Sequence, residues 1–237
     1  MIKSSTHHFS FYYAELSTAL KPSKLTITDL AFVHRLLSIM RYQVGDTFIL
    51  FNTLVHGQAT ITVASKKSVE VTVTDVTKNI LLEPEIVLFL PLVKKEALEQ
   101  AVYNAVVAGV TKIQLVITEK CHRKTITETD YQRLEKIVIA ASEQSKYYAM
   151  PELLKPIEFL QALTLYKSYS FYFADPQGGA LQKLSKKSVI MVGPEGDLTY
   201  DEKEVLKKEK ASFFSLTPTI LRSQEAVLVA ISYARMI

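Results

Sequence analysis

Hydrophobic and polar residues follow one period in the front third of this chain and another in the remainder. Between Thr47 and Val76 three runs, TFILF, GQATITVA and SVEVTVTDV, alternate apolar or β-branched residues with polar ones and are separated by turn material. That is the pattern of short strands in an antiparallel sheet. FSFYYA, residues 9 to 14, adds another strand. From Asp29 to Ile39, Leu30, Val33 and Leu37 recur at helical spacing behind Thr28, a residue type that caps helix starts. Beyond Glu83-Pro84 the period changes, because IVLFLPL (86 to 92) is a continuous apolar run of the kind found in strands buried on both faces. The chain therefore reads as two domains, residues 1–78 and 79–237.

From residue 86 onward strands and helices alternate. Lys95 to Ala108 is a helix stopped by Gly109, IQLVIT (113 to 118) a strand, Asp130 to Ser145 a helix, and SFYFA (170 to 174) a strand. SVIMV (188 to 192), the helix Thr199 to Lys208, SFFSL (212 to 216) and an apolar final helix, Ser223 to Met236, complete the series. Such alternation predicts an α/β domain with a largely parallel sheet. Ligands of open sheets of this kind sit beyond the carboxyl ends of the strands, so the loops there are the ones that can carry chemistry.

Composition narrows the field without choosing a function. Of 237 residues 48% are hydrophobic and 22% charged, which fits a folded globular protein rather than a disordered one. No apolar run approaches the ~20 residues of a membrane-spanning helix, and MIKSSTHHFSFYY has no apolar segment of the signal-peptide type. A cytoplasmic protein with no membrane partner is expected. The single cysteine, Cys121, cannot form an internal disulfide or complete a thiolate zinc centre, so no metal site is expected. Residues 1 to 78 hold eight Lys and Arg against five acids, compatible with a phosphate-bearing partner and equally with an ordinary solvated surface.

No GxGxxG follows a strand, and GxxxxGK[ST], HExxH and GxSxG are absent, which disfavours dinucleotide enzymes, P-loop enzymes, zinc proteases and serine hydrolases. Gly178-Gly179 in DPQGGA reads as a flexible turn. Cys121-His122-Arg123 reads as a strand-end loop, Tyr147-Tyr148 as packing aromatics, and His7-His8 as a terminal pair without chemistry. Gly193-Pro194-Glu195-Gly196 stands in a ligand-loop position, between the strand SVIMV and the helix LTYDEKEVLK, although Gly and Pro also make plain turns. A second loop, Leu216-Thr217-Pro218-Thr219-Ile220-Leu221-Arg222, follows the next strand. Arg222 at a helix start opposes the helix dipole, which implies a ligand or a partner such as Glu195 or Glu225.

The stretches MVGPEGDLTYDE and SLTPTILRSQEAVLVA resemble the GPEGG-L-S-x-x-E and LGxRxLRxETA signatures of the RsmE-type small-subunit ribosomal RNA uridine-N3 methyltransferases of the SPOUT superfamily. The likeness extends along nearly the whole chain, through IMRYQVGDTFILFN, ASKKSVEVTV, KKEALEQAVYNAVVAGVTKIQLVITEKC and IAASEQSKYYAMPEL. It implies an N-terminal PUA-like RNA-binding β-barrel and a C-terminal α/β domain threaded into a trefoil knot, acting as a homodimer on small-subunit ribosomal RNA or the assembled subunit. It implies S-adenosylmethionine held by loops matching Phe173-Ala174-Asp175, Gly193 to Gly196, and Leu216 to Arg222.

Methylation at N3 of a uridine requires loss of the N3 proton, hence a base or a stabiliser of the developing charge. Arg222 is the candidate for orienting the target or stabilising its charge, and Glu195 for a polar contact, ahead of a base role. Arg35, where the family has a histidine, Arg41 and Lys146 are the candidate RNA contacts. The pattern is altered at Asp197, Thr217, Thr219, Gln224 and Glu225, while Tyr147 and Ala149 replace arginines at expected RNA-facing positions. Two other readings stand beside the leading one: a non-catalytic RNA-binding or ribosome-assembly protein, and a SPOUT methyltransferase with a different RNA target.

Overall fold

The computed structural model describes residues 8–181 and 183–237; His7 of the His7-His8 pair lies outside them. The chain divides into two compact units, residues 1–80 and 81–237.

The first unit is built on five strands, β1 (Ser10–Tyr12), β2 (Ser23–Ile27), β3 (Thr47–Phe51), β4 (Val55–Ala64) and β5 (Val69–Lys78), in the order β1-β3-β4-β5-β2. β1 runs parallel to β3 and the other pairs are antiparallel. Alternation does its work: Val55, Gly57, Ala59 and Ile61 of β4, and Val69, Val71 and Val73 of β5, turn inward while their neighbours are more exposed. Helix α1 (Leu30–His34) continues into a π-helical turn, Arg35–Ile39, closed by the Met40 amide on the Arg35 carbonyl at 2.9 Å. Its cap is Asp29, not Thr28: the Asp29 carboxylate accepts from the Ala31 amide at 2.8 Å. A closed barrel is not formed among the described residues. β1, only three residues long, and β2 are the two edges, and Phe32, Val33 and Leu36 of the helical segment join Phe11 and Ile27 in one core, so that a helix rather than a further strand pairing covers the apolar face.

The second unit holds an all-parallel six-stranded sheet in the order β11-β9-β10-β6-β7-β8. Its strands are β6 (Glu85–Pro91), β7 (Lys112–Ile117), β8 (Glu152–Glu158), β9 (Ser170–Gly179), β10 (Lys187–Val192) and β11 (Ser212–Phe214), and its helices α2 (Lys95–Val107), α3 (Glu128–Ser145), α4 (Phe159–Leu165), α5 (Tyr200–Lys208) and α6 (Ser223–Met236). The unbroken apolar run in β6 is explained by its two faces. Ile86, Leu88 and Leu90 pack with α2, α3 and α6, whereas Val87 and Phe89 pack with α4 and α5.

At the end of α6 the Arg235 guanidinium donates to the Gly109 carbonyl, at 2.9 and 2.7 Å, and to the Pro84 carbonyl at 2.7 Å. Gly178 is not in a flexible turn. It lies in β9 against β11, and a Cβ there would fall 2.4 Å from the Phe214 nitrogen. No helix among the described residues is long and apolar enough to cross a membrane.

Candidate functional site

Four of the six parallel strands, or the segments that follow them, line one cavity of about 900 Å³. The residue run after β6 contributes Lys94, Glu96 and Ala97; β9 contributes Ala174, Asp175 and Pro176. The segment after β10 supplies Gly193, Pro194, Glu195 and Asp197, and the one after β11 supplies Leu216, Thr217 and Thr219 to Arg222. The sheet order places β10 between β9 and β6, which is where an open parallel sheet leaves a crevice at its carboxyl edge.

The loop after β10 is a tight turn closed by the Asp197 amide on the Pro194 carbonyl at 2.8 Å. Asp197 sits at φ 57°, a left-handed conformation that Asp tolerates better than most residues, so the aspartate fills a position where the family signature has glycine. Its carboxylate then does a second job. Lys203 of α5 places Nζ 2.6 Å from Asp197 Oδ2 and 2.8 Å from Asp175 Oδ2, and 5.5 Å above the Phe173 ring. One ammonium thereby joins the turn after β10 to the middle of β9. Burial alone would raise the Asp175 carboxyl, but the bonds from Lys203 and the Gln177 amide hold it below the ordinary carboxylate range. Burial pulls Lys203 down, and the two carboxylates more than reverse this, holding it above an ordinary lysine.

The same turn is fixed from beneath by the loop after β7. Lys120 donates to the Gly196 carbonyl at 3.0 Å and to that of Leu198 at 3.4 Å. Thr199 and Glu202 form a capping box at the start of α5. The remaining Glu202 oxygen accepts from the Glu119 amide at 2.8 Å, which ties α5 to the ITEKC segment. Cys121 is buried there with its sulfur accepting from the Thr118 amide at 3.3 Å, a structural placement.

Of the residues singled out in the sequence, Ala174, Asp175, Gly193, Pro194, Glu195, Leu216, Thr217, Ile220, Leu221 and Arg222 line the cavity. Phe173, Gly196 and Pro218 do not: Phe173 is fully buried against Phe213, with ring centroids 5.4 Å apart, Gly196 carries the Lys120 contact, and Pro218 is exposed. Glu195 and Arg222 are both exposed, and among the described residues no ion pair joins Arg222 to Glu195 or Glu225. Lys94, Glu96, Ser223 and Lys203 went unremarked in the sequence, whereas Gln224, Asp197 and Thr219, noted there as departures from the family pattern, also line the cavity. The signal for Lys94 was its place directly after a buried strand of the parallel sheet. For Lys203 there was none, because its partners lie 6 and 28 positions away.

The candidate RNA contacts are dispersed. Arg35 and Arg41 are exposed in the first unit, Arg35 lying 4.9 Å over the Phe11 ring and Arg41 at φ 60°. Lys146 is exposed in the second unit, as the left-handed C-cap of α3. Tyr147 and Ala149 are packing positions rather than RNA-facing ones. Ala149 is buried, the Tyr147 hydroxyl is shut off from solvent, and burial pushes that hydroxyl's pKa up.

Residues 82–235 match the family described as RNA methyltransferase domain. A Rickettsia conorii protein named ribosomal RNA small subunit methyltransferase E is 30% identical over 224 residues, 91% of each chain. A Synechocystis protein of the same name is 27% identical over 88% of this chain and 71% of its own. Among solved structures, a Neisseria gonorrhoeae ribosomal RNA small subunit methyltransferase E bound to S-adenosyl methionine superimposes with a TM-score of 0.85 at 26% identity, covering 97% of this chain and 98% of that one. A Legionella pneumophila structure holding SAM, at 22% identity, shares the fold with a TM-score of 0.83 over 97% of each chain. With its second unit matched almost end to end and a 30% identical relative along nearly its whole length, the chain belongs to the RNA methyltransferase family, among the ribosomal RNA small subunit methyltransferases E.

Proposed function

We propose that this protein is an S-adenosylmethionine-dependent methyltransferase of small-subunit ribosomal RNA, acting on N3 of a uridine. The observation that carries the reading is the convergence of three separate segments, Ala174–Pro176 of β9 and the loops Gly193–Asp197 and Leu216–Arg222, on one cavity at the carboxyl edge of the sheet. The residues present fit the cofactor. A cavity of about 900 Å³ is of ligand size, Leu216, Ile220, Leu221 and Ala226 give it an apolar wall for an adenine, and the exposed Glu195 suits a ligand carrying a cationic sulfur.

When bound, the cofactor supplies an electrophilic methyl group. What the chain must supply is alignment of the uridine with that methyl and management of the N3 proton. Arg222, exposed and without an ion-pair partner among the described residues, orients the base or stabilises the negative charge that develops on it as the proton leaves. Glu195, on the same cavity and exposed, makes a polar contact with the substrate in preference to acting as the base. The first unit, as a PUA-like module, contributes RNA contacts through Arg35 and Arg41, with Lys146 adding one from the second unit. The reading further takes the second unit to be a trefoil knot and the protein to work in the cytoplasm as a homodimer.

Calorimetric titration with S-adenosylmethionine and S-adenosylhomocysteine is the test. A micromolar Kd, about −8 kcal/mol, together with methyl transfer that Arg222→Ala abolishes, is expected. Mapping the modified nucleotide then separates the uridine-N3 assignment from another RNA target. No binding up to roughly 1 mM, about −4 kcal/mol, would point instead to a non-catalytic RNA-binding or assembly role on the same scaffold.

A further inference from the structure

Two long helices begin at the wall of this cavity, and each begins with a cation. Lys94 is the N-cap of the 13-residue α2, and Arg222 is the N-cap of the 14-residue α6; neither start is capped by a side chain. The first bonds within these helices are donated by Leu98 to the Lys94 carbonyl and by Ala226 to the Arg222 carbonyl, both at 2.8 Å. The amides of residues 95–97 and 223–225 therefore have no acceptor inside their own helices. A helix start carries about half a positive charge, so a lysine or arginine placed there is repelled by its own helix. Yet both side chains are exposed, both line the cavity, and neither has an ion-pair partner among the described residues.

A third group points the same way. Ser223, at the first position of α6, lines the cavity and is only 5% exposed, and among the described residues its buried Oγ has no hydrogen-bond partner. An orphaned buried hydroxyl is costly unless a ligand satisfies it. The first turn of α6 is also fixed against the C-terminal part of α2. Asn104 of α2, itself buried, donates from Nδ2 to the Gln224 carbonyl at 2.8 Å and accepts from Gln100 at 2.9 Å.

The carboxylates near this end are few. Glu96 lines it, and Glu225 accepts from the Gln224 side chain at 3.2 Å. Asp175 belongs to β9, and Glu195 and Asp197 to the turn after β10, and Lys203 pairs with both aspartates.

We propose that the starts of α2 and α6 form a binding site for one anionic group, a carboxylate or a phosphate, held by Lys94, Arg222, Ser223 and the free amides of the two first turns. The inference rests on the cofactor and RNA reading above only for where the anion comes from. The sources are the carboxylate at the amino-acid end of the cofactor and a phosphate of the RNA beside the target base.

Inorganic phosphate titrated into the ¹⁵N-labelled full-length protein decides whether the site exists. Saturable shifts of the amides of residues 95–97 and 223–225, lost in Lys94→Met and weakened in Ser223→Ala, are expected; no such shift overturns the proposal whether or not the protein binds the cofactor. The source is then read from affinities. Should Lys94→Met weaken S-adenosylhomocysteine about tenfold, 1.4 kcal/mol, while leaving 5′-methylthioadenosine, which lacks the carboxylate, within twofold, the anion is the cofactor's. Should both nucleosides bind unchanged while KM for RNA rises about tenfold and its salt dependence flattens, the anion is a phosphate. Equal losses on both nucleosides, or phosphate shifts with no change in any affinity, reduce the site to a structural or adventitious one and overturn the proposal. Failure of S-adenosylhomocysteine to bind the unsubstituted protein counts against the cofactor reading alone.

Discussion

Lys203 is the residue on which the geometry of the turn after β10 depends. It neutralises two carboxylates that would otherwise face each other, and it holds Asp197 in a left-handed conformation against the middle of β9. Lys203→Met is expected to weaken S-adenosylhomocysteine binding about tenfold, 1.4 kcal/mol, with Lys203→Arg retaining most of the affinity; calorimetry on both variants checks this. The pH dependence follows from the directions of the shifts. Asp175 is depressed, so its contribution is present above the ordinary carboxylate value and is lost as pH falls through its lower folded value. Lys203 is raised, so its contribution is complete below the ordinary lysine value and is lost as pH rises through its higher folded one. The clamp is thus closed across the neutral range, and thermal unfolding followed from pH 7 downward should show Lys203→Met losing less stability in acid than the unsubstituted protein.

Legibility at this scale divided by distance along the chain. The Gly-Pro turn and Arg222 could be found because strand, loop and helix are contiguous, so their places relative to the sheet edge follow from the local pattern. Lys203 with Asp175 and Lys120 with Gly196 are made by topology, which no local period encodes.

Among the elements, the helices and central strands of the second unit were readable because their periods are long and strong. Three elements were not expected. β2 has only Leu25 and Ile27 as apolar markers, and α4 has only seven residues. β8 contains Pro156, which argues against a strand in general and is tolerated here because β8 is the edge of the sheet. The ladder to β7 slips opposite the proline, and the buried Gln114 side chain takes up the Lys155 carbonyl at 2.8 Å. The DPQGG stretch was misread because glycines signal turns and close backbone contacts alike. Gly178 belongs to the second kind. Gly178→Ala is expected to lower stability by about 1–3 kcal/mol through forced displacement of β11, read as a lower urea midpoint, while Gly179→Ala, with nothing within 4 Å of its Cβ position, should cost far less.

At the scale of the whole second unit, the last turn of α6 holds the entry to the first strand. Arg235 is half-buried, has no carboxylate partner among the described residues, and burial pulls its pKa down. Its bonds go instead to the carbonyls of Pro84 and Gly109. Arg235→Met leaves both acceptors unpaired and should cost about 1–3 kcal/mol each where they stay dry, visible as a lower melting temperature of the full-length protein.

The strand order adds to this. β6, the first strand of the sheet, meets β10 as a neighbour through pairs such as Glu85 with Lys187, so the middle of the sheet is assembled from segments made far apart in time. A ribosome releasing this chain from its N-terminus exposes both faces of β6 well before β10 exists to cover its edge, and the arginine that fastens the entry is made 151 positions after Pro84. Until β10 and that arginine are made, the second unit is an unfinished sheet with an open apolar edge, the kind of nascent surface that chaperones shield.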